Sequence, residues 1–185
     1  MKAGVLALQG DVREHAAVFD ALGATPIEVR TAEQLAAVDC LAIPGGESTT
    51  MGKLARAYDL VEPLRARVAD GMPVLGTCAG MIVLAERVIG GDPLFALMDI
   101  TVRRNAYGRQ VDSFEADVDV RGVGHPVRGV FIRAPWVEDV GPGVEVLATF
   151  EDHPVVLQEG ALVVASFHPE LVGETGLHEY LLRKV

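Results

Sequence analysis

The chain has 185 residues, half of them hydrophobic, enough for one domain with a substantial core, expected here to span residues 1–185. A formal net charge of -10 and a pI near 4.9 argue against a nucleic-acid backbone or an anionic membrane surface as the main partner. The only cysteines, Cys40 and Cys78, make no disulfide framework, and no apolar run approaches the roughly 18 residues needed to cross a bilayer, so a reduced, cytoplasmic setting is expected.

In chain order, the N-terminal run Val5 to Leu8 stops at Gln9 and Asp11 without a small-residue cleavage pattern, which reads as a first strand and not a signal peptide. A helix near Val12 to Leu22 follows, then strands at Ile27 to Val29 and Leu41 to Ile43, with Cys40 beside the latter as a core residue. A helix near Thr49 to Ala57, a strand at Pro73 to Leu75 and a helical pattern from Met81 to Val88 complete the first half. Alternation of this kind implies strand–helix–strand units, hence a mainly parallel sheet covered by helices on both faces. The second half differs. Val111 to Val120, Gly129 to Ile132, Val144 to Phe150, Val155 to Gln158 and Leu162 to Phe167 are extended patterns separated by Gly, Pro and Asp turns, with little helix until Leu177 to Leu182. They are expected to add antiparallel or mixed strands to the same sheet. The predicted class is therefore α/β: three layers, a mainly parallel central sheet flanked by helices, with antiparallel additions.

Three motifs carry chemistry. Gly76-Thr77-Cys78-Ala79-Gly80 joins an apolar strand to a helix, placing a cysteine between two glycines on a sharp turn, as in the Gly-x-Ser-x-Gly elbow of hydrolases. The N–H groups and dipole of the following helix favour a thiolate there; a small buried cysteine in an ordinary loop is the plainer alternative. The strand Leu162 to Phe167 ends in His168-Pro169-Glu170. Pro169 holds His168 and Glu170 in an extended or turn geometry, and in extended chain residues two apart project to one side, so Glu170 can reach one imidazole nitrogen while the other faces a thiol. Alone, that tripeptide reads more simply as a strand-end His with a solvated Glu; with the elbow in the same chain it supplies a base and its orienting group. Third, Pro44-Gly45-Gly46-Glu47-Ser48 follows a strand, where adjacent glycines let backbone N–H groups approach an oxyanion; Gly46 and Ala79 are the expected donors. Ser48 as a simple helix N-cap is compatible with this. A phosphate loop from Gly46 to Gly52-Lys53 is rejected, because the glycine spacing is wrong and Leu54 stands where Ser or Thr should follow. His15, His125, His153 and His178 lack ligand spacing and read as ordinary histidines, so no metal is expected.

Taken together, the elbow, the Pro-Gly-Gly-Glu-Ser loop and the His-Pro-Glu segment resemble the class I (triad) glutamine amidotransferases. Gly4 to His15, Pro44 to Met51, Gly76 to Met81, Arg104 to Glu115, Phe131 to Pro135 and Ser166 to Leu171 narrow the likeness to glutaminase subunits of pyridoxal 5'-phosphate synthase complexes. The resemblance implies a glutaminase needing no cofactor, with Cys78 as nucleophile, His168 as base and then acid, and Glu170 orienting His168. It further implies that Gly46, Glu47, Ser48, Arg104, Ile132 and Arg133 hold L-glutamine, and that a (β/α)8-barrel synthase subunit in a hetero-oligomeric complex consumes the ammonia. Two rivals are a γ-glutamyl hydrolase on the same scaffold and a regulatory subunit with Cys78 as redox sensor.

Overall fold

The structure, a computed structural model, describes residues 1–104 and 113–185. Most of the Arg104 to Glu115 segment, and the start of the extended run predicted from Val111, lie outside the described residues. The elements are β1 (Lys2–Leu6), α1 (Val12–Ala21), β2 (Thr25–Val29), α2 (Ala32–Ala36), β3 (Cys40–Ile43), α3 (Ser48–Ala57), α4 (Val61–Ala69), β4 (Val74–Thr77), α5 (Ala79–Leu84), β5 (Ala85–Ile89), β6 (Met98–Arg103), β7 (Phe114–Val118), β8 (Val127–Phe131), β9 (Trp136–Val140), β10 (Glu145–Phe150), β11 (His153–Glu159), β12 (Leu162–Ala165), a 3-10 turn Glu170–Val172 and α6 (Gly176–Leu182).

The main sheet has the order β10-β11-β12-β4-β3-β1-β2. From β12 to β2 every pairing is parallel, and β10 and β11 add antiparallel strands at one edge. Strands β3, β4 and β12 are buried at every residue, the mark of a sheet covered on both faces. Their period-two alternation divides the core in two. Leu41, Ile43, Val74 and Val164 pack with Leu35, Met51, Leu64 and Met81, so α2 to α5 cover one face. Cys40, Ala42, Leu75, Val163 and Ala165 pack with Phe19, Leu177, Val127 and Phe131, so α1, α6 and the β7–β8 hairpin cover the other. Burial pushes the Cys40 thiol up to about 12, as suits a core residue.

Three predictions about the elements need correction. The second-half strands do not all join one sheet, since β5-β6-β9 and β7-β8 form sheets of their own. The helix expected from Met81 to Val88 ends at Leu84; Ala85 is extended (φ -63, ψ 140), and Val88 and Ile89 pair parallel with Val102 and Arg103 of β6. Tertiary pairing of β-branched residues overrides the helical pattern there. Helices α2 and α4 were not anticipated, although Thr31 and Gln34 form a capping box that is visible in the sequence.

What positions the site is the register at the carboxyl ends of adjacent parallel strands. Ile43 sits opposite Gly76, and Thr77 opposite Ala165, so the segments leaving β3, β4 and β12 emerge side by side. Helix α5 then crosses so close to β3 that a Cβ on Gly80 would collide with the Ile43 carbonyl oxygen. Replacing Gly80 by Ala must push α5 off the sheet, and chemical denaturation of G80A should show a loss of about 1–3 kcal/mol, as for overpacked cores. A G80A chain as stable as the parent would refute this contact.

Candidate functional site

Cys78 is the N-cap of α5, with φ 49 and ψ -102, a positive φ that a non-glycine residue adopts only under constraint. The constraint is visible: its N–H donates to the Ala165 carbonyl at 2.8 Å, locking the turn to β12. Its side chain is nearly buried, and Sγ lies 3.9 Å from the Ile132 carbonyl oxygen, a weak acceptor contact for the thiol.

His168 stands where the chain leaves β12 and pairs with β8. Its N–H donates to the Val130 carbonyl at 2.9 Å, and the Val130 N–H donates to the His168 carbonyl at 3.1 Å. Of the extended or turn geometries expected for His168–Glu170, the structure takes the turn. Pro169 is helical (φ -71, ψ -31) and Glu170 opens a 3-10 turn, which folds the carboxylate back so that Oε1 is 2.9 Å from His168 Nδ1. A second carboxylate, unexpected from sequence, also reaches that nitrogen: Asp11 Oδ2 is 3.2 Å away. Burial disfavours the imidazolium, but hydrogen bonding with Asp11, Cys78 and Glu170 more than offsets it, and the His168 pKa is pushed up to about 12.

Glu170 is buried behind His168. Burial favours its neutral form, yet its contacts with His15 and His168 outweigh that and hold it below the usual carboxylate range. The Thr77 hydroxyl donates to Oε1 at 3.2 Å. Thus β4 supplies both the elbow and a prop for the carboxylate two elements away.

The Pro44 to Ser48 loop packs on the turn Gln9 to Asp11. The Asp11 N–H donates to the Gly45 carbonyl at 3.3 Å, and the Glu47 N–H donates to Gln9 Oε1. Gly45 lies so close to the imidazole that a Cβ would collide with His168 Cε1. Glu47, and not Ser48, caps α3, accepting from the N–H groups of Thr49 at 2.9 Å and Thr50 at 2.7 Å. The Thr50 hydroxyl and the Thr49 N–H bring the Glu47 pKa down to about 2. Arg104 rests against the same cap, 3.4 Å from Glu47 Oε1.

A cavity of about 410 Å³ opens between these segments. Gly46, Glu47, Ser48, Cys78, Ala79, Arg104, Ile132, Arg133 and His168 all line it, with Asp11, Ile82 and Leu171, which the sequence did not flag. Arg133, held at φ 44, forms no ion pair among the described residues, unlike Arg104. Asp11, His168 and Glu170 bring donor atoms within 4.8 Å of one another, a grouping of metal-binding residue types not found from sequence. Both carboxylates converge on the same Nδ1, which fits a shared proton better than a cation.

Residues 5–185 match the model of the SNO glutamine amidotransferase family. A curated relative from Frankia alni, named pyridoxal 5'-phosphate synthase subunit PdxT, is 58% identical over 179 residues, which cover 95% of this chain and 90% of the relative. Another of the same name, from Acidothermus cellulolyticus, is 55% identical, with 100% and 93% covered. A crystal structure of a glutamine amidotransferase superposes with a TM-score of 0.94 at 48% identity, covering 98% of this chain and 97% of that one. A chain of PurLQS from Thermotoga maritima shares the fold, with a TM-score of 0.74 at 14% identity and 98% and 97% covered.

The shifts fix the sign of the pH response. His168 is raised from 6.5, so its contribution to stability is complete below that value and fades as pH climbs toward about 12. Glu170 is lowered from 4.5, so its contribution holds above that value and is lost on acidification. Removing one partner, as in Asp11→Asn, should move the His168 titration downward by about one unit or more in an NMR pH series. An unmoved titration would show that Asp11 does not bear on the imidazolium.

Proposed function

We infer the chemistry of this cavity from the premise that the chain belongs to the SNO glutamine amidotransferase family. It hydrolyses L-glutamine to L-glutamate and ammonia, and the ammonia serves a synthase that makes pyridoxal 5'-phosphate. The observation that carries the assignment of residues is the opening of Cys78, His168 and the Gly45–Gly46 loop into one cavity, with Glu170 behind His168.

In this reading His168 already holds the thiol proton as an imidazolium, which its surroundings favour, and the Cys78 thiolate Sγ adds to the side-chain amide carbon. The oxyanion is met by the N–H groups of Gly46 and of Ala79, the first residue of α5 and so without an intrahelical acceptor. The imidazolium, which Glu170 and Asp11 favour, returns the proton to the departing nitrogen, and ammonia leaves a glutamyl thioester. Water then gives a proton to His168, attacks the thioester carbon and frees glutamate, while the sulfur leaves as the thiolate. Glu170 holds Nδ1 so that the other ring nitrogen addresses the sulfur.

Arg133 is the cation we assign to the substrate carboxylate, since Arg104 is already engaged with Glu47. Glu47, Ser48, Arg104 and the Ile132 backbone complete the pocket, with acceptors for the substrate ammonium. The whole of 1–185 is read as one glutaminase domain. Its partner is a (β/α)8-barrel synthase subunit in a hetero-oligomeric complex, which gives ammonia a shielded route. Among the described residues no helix is long and apolar enough to cross a membrane; we place the chain in the cytoplasm.

The test is ammonia release from glutamine, slow for the chain alone and faster with its synthase. Cys78→Ala should lower it by about 10³-fold or more in both settings. A glutamine-mimicking electrophile should label Cys78 alone, read by mass spectrometry; label elsewhere, or full activity in C78A, would overturn the assignment. Arg133→Ala should cost about 10- to 100-fold in kcat/KM, mostly through KM, as expected for loss of a charged hydrogen bond.

A further inference from the structure

Behind Glu170 lies a second layer that the reaction above does not use. His15 of α1 and His178 of α6 are fully buried, and His15 Nδ1 is 2.8 Å from His178 Nε2. On its other side His15 Nε2 is 3.1 Å from Thr77 Oγ1 and 3.4 Å from Glu170 Oε1. Neither ring reaches the cavity. We propose that His15 is a positioning residue of the glutaminase site: its Nε2–H holds the Glu170 carboxylate in place and ionised, and His178 sets the tautomer that makes this possible. The proposal rests on the glutaminase reading.

Proton counting supplies the argument. His178 Nδ1 is buried with no partner among the described residues. A buried N–H without an acceptor is rare and costly, so that nitrogen is the bare one, and the proton of the neutral ring sits on Nε2. Burial lowers the His178 pKa to about 3, which keeps that ring neutral. His178 Nε2–H therefore donates to His15 Nδ1, and His15 carries its proton on Nε2, aimed at Thr77 and Glu170. Thr77 accepts from His15 and passes its own hydroxyl proton to Glu170 Oε1. The donors run one way: His178 to His15, His15 to Thr77 and Glu170. The opposite arrangement would leave an N–H orphaned on His178 and turn a bare nitrogen toward a carboxylate.

The chemical need is clear from Glu170. Its side chain is fully shielded and Oε2 has no partner among the described residues, so Oε1 gathers all the compensation: His168 Nδ1, Thr77 Oγ1 and His15 Nε2. A carboxylate so enclosed keeps its charge only while enough donors face it. The titratable groups around it are His15 from α1, His168 beside it, His178 from α6 behind His15, and Asp11 beyond His168. Without His15, burial would win, and a protonated Glu170 would no longer accept from His168 Nδ1.

Two measurements test this. The first is glutaminase kinetics of the full chain with its synthase, across pH, for His15→Phe and His15→Gln. H15F keeps a flat ring without a donor, whereas H15Q can present an amide N–H near the position of Nε2. H15F should lower kcat by about 10²-fold with KM within about twofold, and move the acid limb of kcat up by about one pH unit, while H15Q restores most of both. Equal losses in the two variants with an unmoved pH profile would mean that His15 merely fills space, and would overturn the proposal. The second needs no variant: ring-nitrogen NMR of the wild-type chain should find His15 and His178 both protonated on Nε2 with Nδ1 bare. A proton on His15 Nδ1 would overturn it outright. Because tautomers are read without substrate, failure of Cys78 labelling would sink the glutaminase reading while leaving this assignment standing.

Discussion

A single buried hydrogen bond, from an imidazole to the Glu170 carboxylate, is the constraint around which the rest of the architecture is arranged. Neither partner is stable there alone: burial raises the cost of a carboxylate and of an imidazolium alike, and only their mutual contact and the donors behind them reverse it. Supplying those donors requires four elements to meet at one place. Helix α1 brings His15, β4 brings Thr77, the segment after β12 brings His168 and Glu170, and α6 brings His178. The layer of α1 and α6 over one face of the sheet therefore does more than bury apolar surface.

The cavity opens at the carboxyl edge because adjacent parallel strands end in step. With Gly76 opposite Ile43 and Thr77 opposite Ala165, the loops that follow cannot diverge before their first side chains have met. The Cys78–Ala165 hydrogen bond then ties the sulfur-bearing turn to the imidazole-bearing strand over a span set by sheet spacing and not by flexible loops. Such rigidity suits a reaction in which small displacements of the reacting groups are costly in rate.

Much of this was legible from sequence, for identifiable reasons. Strands β3, β4 and β12 are short apolar runs bounded by turn residues, and their buried setting matches that pattern. The elbow and the His-Pro-Glu segment are local, so the types and order of residues point to the chemistry before any fold is known. What escaped depends on contacts between distant residues. Ala85 to Ile89 continues a helical pattern and becomes a strand only because β6 offers a partner. The sequence leaves an extended or a turn geometry open at Pro169, and only the folded chain selects the turn that brings Glu170 back onto the ring. Asp11 reads as a helix start, and His15 and His178 as ordinary surface or core histidines, because nothing in a linear chain announces that positions 163 apart share a hydrogen bond.

Asp11 uses its backbone to grip the Gly45 carbonyl and its side chain to grip the His168 imidazole. The Gly45–Gly46 loop and the His168 ring thus share a fulcrum, and neither can shift while the other stays still. Divergence of this chain toward another amide would have to travel through paired, epistatic changes at that pivot, since any single step shifts two parts of the machinery at once.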